Sequence, residues 1–364
     1  MTQLICQIVH SRTEFTSVMQ QLELFLGSQP EYPLCCSLDW LDAWLQHYSM
    51  GEDTLWMQLH YASDQLVAFY PLYLKKTPLG TELRFVGTGE PEIAEVCSEF
   101  QDFVITKGFE QSSLTLFSAS LKPITSIKRI IFDNVLANSI SLHWLQQHPP
   151  KNWHYHQQYH GERFVLPILA EQHQQIDALR QSTLRRYARR FFEQTAIEMD
   201  VCTEHKDIML FFADLTRLHQ QQWQRRGKPG AFSTDVFQQF HQVLAAQLLE
   251  REQLLLFRIH LHGKCIAAYY GFYHQECLYY YQSGIEPTPG LQNIGVGMHL
   301  LAMSHARNKG CSHYDLMRGN PTGYKKNYSN QTQQVYTAEA TTAILSTLRT
   351  WKKQLKQICH KILP

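Results

Sequence analysis

The segment 277–310 limits most sharply what this chain can fold into. CLYYYQSGI (Cys277–Ile285) has the aromatic run of a strand packed on two faces, EPTPGLQNIGVG (286–297) is rich in Gly and Pro, and MHLLAMSHARNKG (298–310) carries helical apolar spacing that stops at Gly310. A strand, a glycine-bearing loop and a helix in that order leave the first N–H groups of the helix without intrahelical partners. Those groups point outward at the positive end of the helix dipole and form an anion site. In the run Gln292, Asn293, Ile294, Gly295, Val296, Gly297, neither glycine has a side chain to keep a pyrophosphate off the backbone, and Gln292 adds an amide donor. The pattern takes its meaning from the strand before it and the helix after it.

Upstream, LLLFRIHL (Leu254–Leu261), a turn at 262–264 and CIAAYYGFY (265–273) read as a hairpin feeding that strand. Residues 164–169 read as a strand entering this half. One helix is expected over 171–195, with Leu179, Leu184, Ala188 and Phe191 on one side and arginines around it, and two more over 207–224 and 235–251. In the first half, 38–48 reads as a helix with Ser37 as N-cap. LWMQLHY (55–61), a turn at 62–65 and LVAFYPLYL (66–74) repeat the hairpin pattern, with Pro71 marking an edge or a bulge. The two hairpins suggest a duplication of which only the second copy carries the Q-x-x-G-x-G loop. The 364 residues allow two or three domains at about 150 residues each. The expected organisation is α/β (α+β): halves at 1–160 and 161–342, each a mixed, mostly antiparallel sheet flanked by helices, then a basic amphipathic helix within 343–364.

Lysine and arginine exceed the acidic residues by one, so no global field draws the chain to nucleic acid. The nine cysteines are odd in number and show no C-x-x-C spacing, which reads as reduced thiols in a cytoplasmic protein. The N-terminus lacks the pattern of a signal peptide, and no apolar stretch is long enough to span a membrane. Leu348, Trp351, Leu355, Ile358 and Ile362 make an apolar stripe beside several lysines, which allows peripheral contact with the inner membrane face. His154, His156 and His160 could be imagined around zinc, but histidines abound in this chain and no metal is expected. Without G-x-S-x-G, H-E-x-x-H or P-loop patterns, hydrolase and NTPase readings fall away.

The Gln292–Gly297 loop resembles the R/Q-x-x-G-x-G/A signature of the GNAT superfamily of acyl-CoA N-acyltransferases. Pro289-Gly290, the helix ending at Lys309-Gly310, HYDLMRG (His313–Gly319) and GYKK (323–326) are similar to the FemAB/CelD-like branch with BioF2-like acetyltransferase domains. In that branch a D-x-x-x-G strand end precedes a Tyr-Lys pair, matched here by Asp315, Gly319, Tyr324 and Lys325. The arginine-rich helix and WQRRGKPGAF (223–232) extend the likeness to 164–340. The first half, with Trp40 and Trp44, GTGEPE (87–92) and EFQDFVI (99–105), is similar with looser motifs.

The resemblance implies tandem GNAT-like halves, the first degenerate and the second holding acetyl-CoA or another acyl-CoA at Gln292, Asn293, Ile294, Gly295, Val296, Gly297 and Ser283. It implies direct attack of an amine on the thioester, whose carbonyl is held by backbone N–H groups of a splayed strand at 280–284, with a bulge expected at Ser283-Gly284. Tyr324 would protonate the leaving thiolate, Asp315 act as base or orient the ammonium, and Lys325 contact phosphate or an acidic acceptor. Arg186, Trp223 and Arg226 are the candidate substrate-binding residues. The acceptor class is an amino sugar, an envelope or polysaccharide precursor, or a peptide. The rivals are a Fem-like enzyme that draws on aminoacyl-tRNA and a binding protein that keeps the fold without the chemistry.

Overall fold

The computed structural model describes residues 3–48, 51, 53–329, 331–343 and 345, so the expected amphipathic helix lies outside the described residues. The chain divides into two compact units: one comprises 1–89, 97–160 and the chain from 335 on, the other 90–96 and 161–334. The halves are thus not contiguous in sequence, since 90–96 and the stretch from 335 each belong to the unit opposite to a simple 160/161 split.

The first unit contains β1 (Leu4–Val9), α1 (Arg12–Ser28), α2 (Leu38–His47), β2 (Thr54–Leu55), β3 (Met57–Ala62), β4 (Gln65–Tyr70), β5 (Leu72–Thr77), β6 (Gly80–Phe85), β7 (Val104–Ile105), α3 (Glu110–Leu121), β8 (Ile127–Leu136) and α4 (Ile140–Gln147). Strands β1, β3, β4 and β7 form an antiparallel sheet; β8, β6, β5 and β2 form a second set in which only β6 and β8 are parallel. Pro71 has no N–H to give a ladder, and the expected strand over 66–74 breaks there into β4 and β5, which belong to different sheets. Ser37 stands at the start of α2 but makes no side-chain cap, and α2 is held by burial of Leu38, Trp40, Leu41, Trp44 and Leu45. Tyr70, Phe85, Phe103, Phe117, Phe132 and Trp144 pack as an aromatic core.

The second unit follows with β9 (Trp153–Pro167, which begins in the first), α5 (Gln172–Asp177), α6 (Ser182–Phe192), β10 (Ile197–Val201), α7 (Ile208–Gln224), α8 (Asp235–Glu250), β11 (Leu254–Leu261), β12 (Lys264–His274), β13 (Cys277–Ile285), α9 (Ile294–Asn308) and β14 (His313–Gly319), and β15 (Thr332–Thr342) returns from 335 on to the first unit, where it pairs antiparallel with β8. Its sheet runs β10-β11-β12-β13-β14-β9, antiparallel except at β13–β14. The helix expected over 171–195 is two helices, because Arg180 N–H is given to the Asn327 carbonyl at 3.2 Å and the chain turns between them.

Both hairpins close in the same way. Ser63 and Asp64 join β3 to β4 with φ of 47° and 66°, and His262 and Gly263 join β11 to β12 with φ of 51° and 76°, the two-residue left-handed turn that matches strand twist. Each also slips register just before its turn, between His60 and Tyr61 and between Ile259 and His260. The parallel step recurs as well: α3 lies between β6 and β8, and α9 between β13 and β14.

Candidate active site

Strand β13 is where the second unit opens. It pairs with β14 only through Cys277–Tyr279 against His313–Asp315, and beyond Tyr279 the two parallel strands part. On its other side the register with β12 shifts between Tyr270 and Gly271, so that Gln282 and Tyr280 face consecutive partners and Tyr281 is the extra residue. The bulge is therefore at Tyr281, not at the expected Ser283-Gly284. Gly284 serves a different purpose, since a Cβ there would stand 2.4 Å from the His219 nitrogen and 2.5 Å from Leu218 Cβ, where α7 crosses the strand.

The parted strands open into a cavity of about 1120 Å³, above the roughly 300–1,000 Å³ common for small-molecule sites. Tyr280 and Ser283 of β13 face it, joined by a 2.7 Å hydrogen bond between their hydroxyls. Tyr281 also lines it, while its hydroxyl donates to the Val96 carbonyl at 2.8 Å and lies 2.9 Å from His241 Nε2.

Helix α9 supplies the second wall. It starts at Ile294, four residues earlier than expected, because Asn293 turns the chain with φ 55° and ψ 47°. Gly295 and Gly297 consequently lie in the first helical turn. Gln292, Asn293, Ile294, Gly295 and Val296 line the cavity, and Val296 N–H is spent on the Asn293 carbonyl at 2.9 Å. Gly297 does not line it. A Cβ at 297 would sit 2.3–2.5 Å from the Phe191 ring, so this glycine lets α6 and α9 touch.

At the floor lies a group of phenols around one imidazole. The His299 ring is 4.8 Å from Tyr280, 5.3 Å from Tyr328 and 6.5 Å from Tyr324, and its Nδ1 is 2.7 Å from the Tyr314 hydroxyl. Burial, then the nearby Lys325 charge, lower its pKa to about 3, so the ring is neutral. Tyr324 lines the cavity and leaves half of its surface exposed. Burial first, then the neighbouring phenols of Tyr280 and Tyr328, raise the Tyr324 pKa well above the usual phenol range. His299 and Tyr328 were not singled out from the sequence. The signal for His299 was its place four residues after Gly295, on the same helix face.

Lys325 lines the cavity too, with its ammonium donating to the carbonyls of Leu316 at 2.5 Å and Arg318 at 2.6 Å. Asp315 lies outside the lining and is fully buried. Its carboxylate takes Arg163 Nε at 2.6 Å and the Met317 N–H at 2.6 Å, where Met317 has φ 60° and β14 slips register against β9. Asp315 and Lys325 thus brace the same irregular strand end, directly ahead of the turn that carries Tyr324.

The remaining wall is cationic and aromatic. Trp223, Arg225 and Arg226 at the end of α7 line it, with the Arg226 guanidinium 5.6 Å from the Trp223 ring centroid. Arg186 is exposed and does not line the cavity; it lies 5.4 Å over the ring of Tyr187, which does. No Asp or Glu is among the lining residues. Among the described residues no group of three or more His, Cys, Asp or Glu is placed to hold a metal, and no helix is long and apolar enough to cross a membrane.

Residues 178–326 match the family described as acetyltransferase (GNAT) domain. The chain carries a GNAT acyltransferase domain. This domain contains α6 to β14, the parted strands and nearly all of the cavity lining. The whole chain is similar in fold to FemX, with TM-score 0.62 and 12% identity over 88% of this chain and 95% of that one. It is also similar to the C-terminal domain of a putative lysylphosphatidylglycerol synthetase from Agrobacterium fabrum, with TM-score 0.53 and 11% identity over 93% and 96% of the two chains. L-PGS from Bacillus licheniformis gives TM-score 0.52 and 11% identity over 88% and 90%. At these identities the likeness is one of fold, and it places the GNAT domain in a FemX-like architecture. No curated protein matches the chain by sequence.

Proposed function

We propose that the GNAT domain takes an acyl-CoA and transfers its acyl group to an amine of an amino sugar, an envelope or polysaccharide precursor, or a peptide. The observation that carries this reading is the continuity of one cavity from the bulged, half-unpaired strand β13 to the N-terminus of α9. The first turn of α9, with no Cβ at Gly295, offers backbone N–H groups to a pyrophosphate. The β13 edge past Tyr279 offers peptide groups to an extended amide-containing arm and to the thioester carbonyl.

In the reaction the amine nitrogen bonds to the carbonyl carbon, the C–S bond breaks, one amine proton is lost and the departing thiolate gains one. Tyr324, with its raised pKa, is protonated throughout the neutral range and serves as donor to the thiolate. Ser283 and Tyr280 line the path as neutral hydrogen-bonding groups. Lys325 holds the turn of Tyr324 through its two carbonyl bonds. Arg226, Arg225 and Trp223 receive the anionic or aromatic part of a substrate. Asp315 acts through the strand that it braces.

A second reading is an aminoacyl donor carried on tRNA. It is favoured by the fold shared with FemX and with a lysylphosphatidylglycerol synthetase, and by a lining with arginines and no carboxylate. Calorimetric titration with acetyl-CoA and CoA, repeated on Gly295→Glu, separates the two. Saturable binding lost in the variant supports the CoA donor. No binding by well-folded wild type overturns it and moves weight to aminoacyl-tRNA.

A further inference from the structure

The floor of the cavity holds a group that the proposed chemistry leaves unused. His299 is 2% exposed, lines the cavity, and has one ring nitrogen committed: Nδ1 lies 2.7 Å from the Tyr314 hydroxyl. Its Nε2 has no hydrogen-bond partner among the described residues, and unlike Nε2 of His219 it is not sealed from solvent. A buried imidazole nitrogen reaching a cavity without a protein partner is costly unless a ligand or water completes it.

Which nitrogen carries the proton follows from the phenol behind it. Tyr314 is fully buried, and its hydroxyl has no hydrogen-bond partner among the described residues other than His299 Nδ1. If Nδ1 carried the proton and gave it to Tyr314, the Tyr314 proton would have no acceptor. In the opposite order Tyr314 O–H donates to Nδ1 and its proton is placed. His299 is then the tautomer with N–H at Nε2.

The position of that N–H is the useful one. His299 is four residues, about 6 Å along the helix axis, beyond Gly295 on the same face. Its ring edge is against Tyr280, the residue before the Tyr281 bulge, and beneath Tyr324. We propose that His299 is a substrate-contacting residue whose Nε2–H donates a hydrogen bond to the acyl carbonyl oxygen of the donor thioester, beside the peptide groups of β13. The inference rests on the acyl-CoA reading. An imidazole kept neutral by burial on a phenol-lined floor is suited to donate without giving up its proton, as the charge that develops on the oxygen strengthens the bond.

The test uses the full chain labelled with 15N-histidine. In the free protein the His299 nitrogens should report the Nε2–H tautomer. The Nε2–H resonance should move with acetyl-CoA and not with CoA, which lacks the carbonyl. His299→Gln, which keeps an N–H donor, should retain most of kcat, and His299→Leu should lose roughly 10²–10³-fold with the acetyl-CoA Kd unchanged. An Nδ1–H tautomer, an equal response to CoA and acetyl-CoA, or a folded His299→Leu as active as His299→Gln would overturn the proposal. Because the resonance is read on wild type, a variant that fails to fold leaves the spectral test decisive. Absence of acetyl-CoA binding overturns both this inference and the donor reading, whereas binding without a response of His299 overturns this inference alone.

Discussion

Arg163 Nε lies 2.6 Å from the carboxylate of Asp315, a pair whose side chains are 15% and 0% exposed. Burial works against the guanidinium charge, but Asp315, with Tyr279 second, holds the Arg163 pKa above its usual value. Replacing one partner leaves the other charge uncompensated, which costs more than the pair gains by forming. Asp315→Asn should therefore lower unfolding free energy by about 3–5 kcal/mol, read from urea midpoints. The folded variant should keep its acetyl-CoA affinity and a kcat close to wild type. A stable variant with lost turnover would instead make the carboxylate part of the reaction.

The two glycines of the loop should respond oppositely to a methyl group. At 297 a Cβ meets the Phe191 ring at 2.3–2.5 Å, so Gly297→Ala should be overpacked by about 1–3 kcal/mol and relieved by Phe191→Leu. At 295 the nearest atom is the flexible end of Ile285 at 3.2 Å, and Ala gains up to about 1 kcal/mol of helix propensity. Gly295→Ala should be as stable as wild type and weaker for CoA. Thermal melts together with CoA titration distinguish these outcomes, and equal stability of both variants would contradict the packing role of Gly297.

Local patterns in this chain are legible in its sequence, and long-range partners are not. The strand–loop–helix junction, the hairpins and the two-unit α/β architecture were legible because periodicity and turn chemistry are local. The start of α9 was misplaced because an αL Asn293 reads in sequence like any loop residue. Gly297 resembled a ligand-approach glycine because its steric reason, Phe191, comes from a helix far earlier in the chain. Asp315 read as a free carboxylate because Arg163 is contributed by β9, and sequence spacing carries no trace of that antiparallel register. His299 is the opposite case: an imidazole on an apolar helix face has the sequence pattern of a core residue, and its Nε2 at the cavity, without a partner among the described residues, separates it from one.

Four buried histidines make the fold sensitive to acid. Burial lowers His299 to about 3, His60 and His219 to about 4, and His241 well below its ordinary value. The unfolded chain takes up these protons near pH 6.5, before the folded chain does, so stability is full above that pH and falls as pH drops towards the folded pKa values. With four protons involved, the slope should approach about 5 kcal/mol per pH unit between roughly pH 6 and pH 4. Across pH 7.5, 6.5 and 5.5, urea midpoints should fall modestly over the first step, by about 1.5 kcal/mol of stability, and steeply over the second, by roughly 4 kcal/mol. A level midpoint throughout would mean that these rings are hydrated and protonate in place.

Tyr324 offers the most direct test of the chemistry. Its ring stands open to the cavity, so Tyr324→Phe removes the proton donor while leaving the ring that packs near His299 and Tyr328. With no protein hydrogen bond of this hydroxyl among the described residues to lose, stability should change by less than about 1 kcal/mol. If the phenol protonates the leaving thiolate, kcat should fall about 10²–10⁴-fold with the acetyl-CoA Kd unchanged. Because the Tyr324 pKa is raised, the donor form persists to the alkaline side, and wild-type kcat should show no decline attributable to this group below about pH 10. An alkaline limb near pH 8 that vanishes in Tyr324→Phe would contradict that environment. Full turnover in the Phe variant would reduce Tyr324 to packing and move the proton donor to water or to the Tyr280–Ser283 pair, whose hydroxyls are 2.7 Å apart on the same floor.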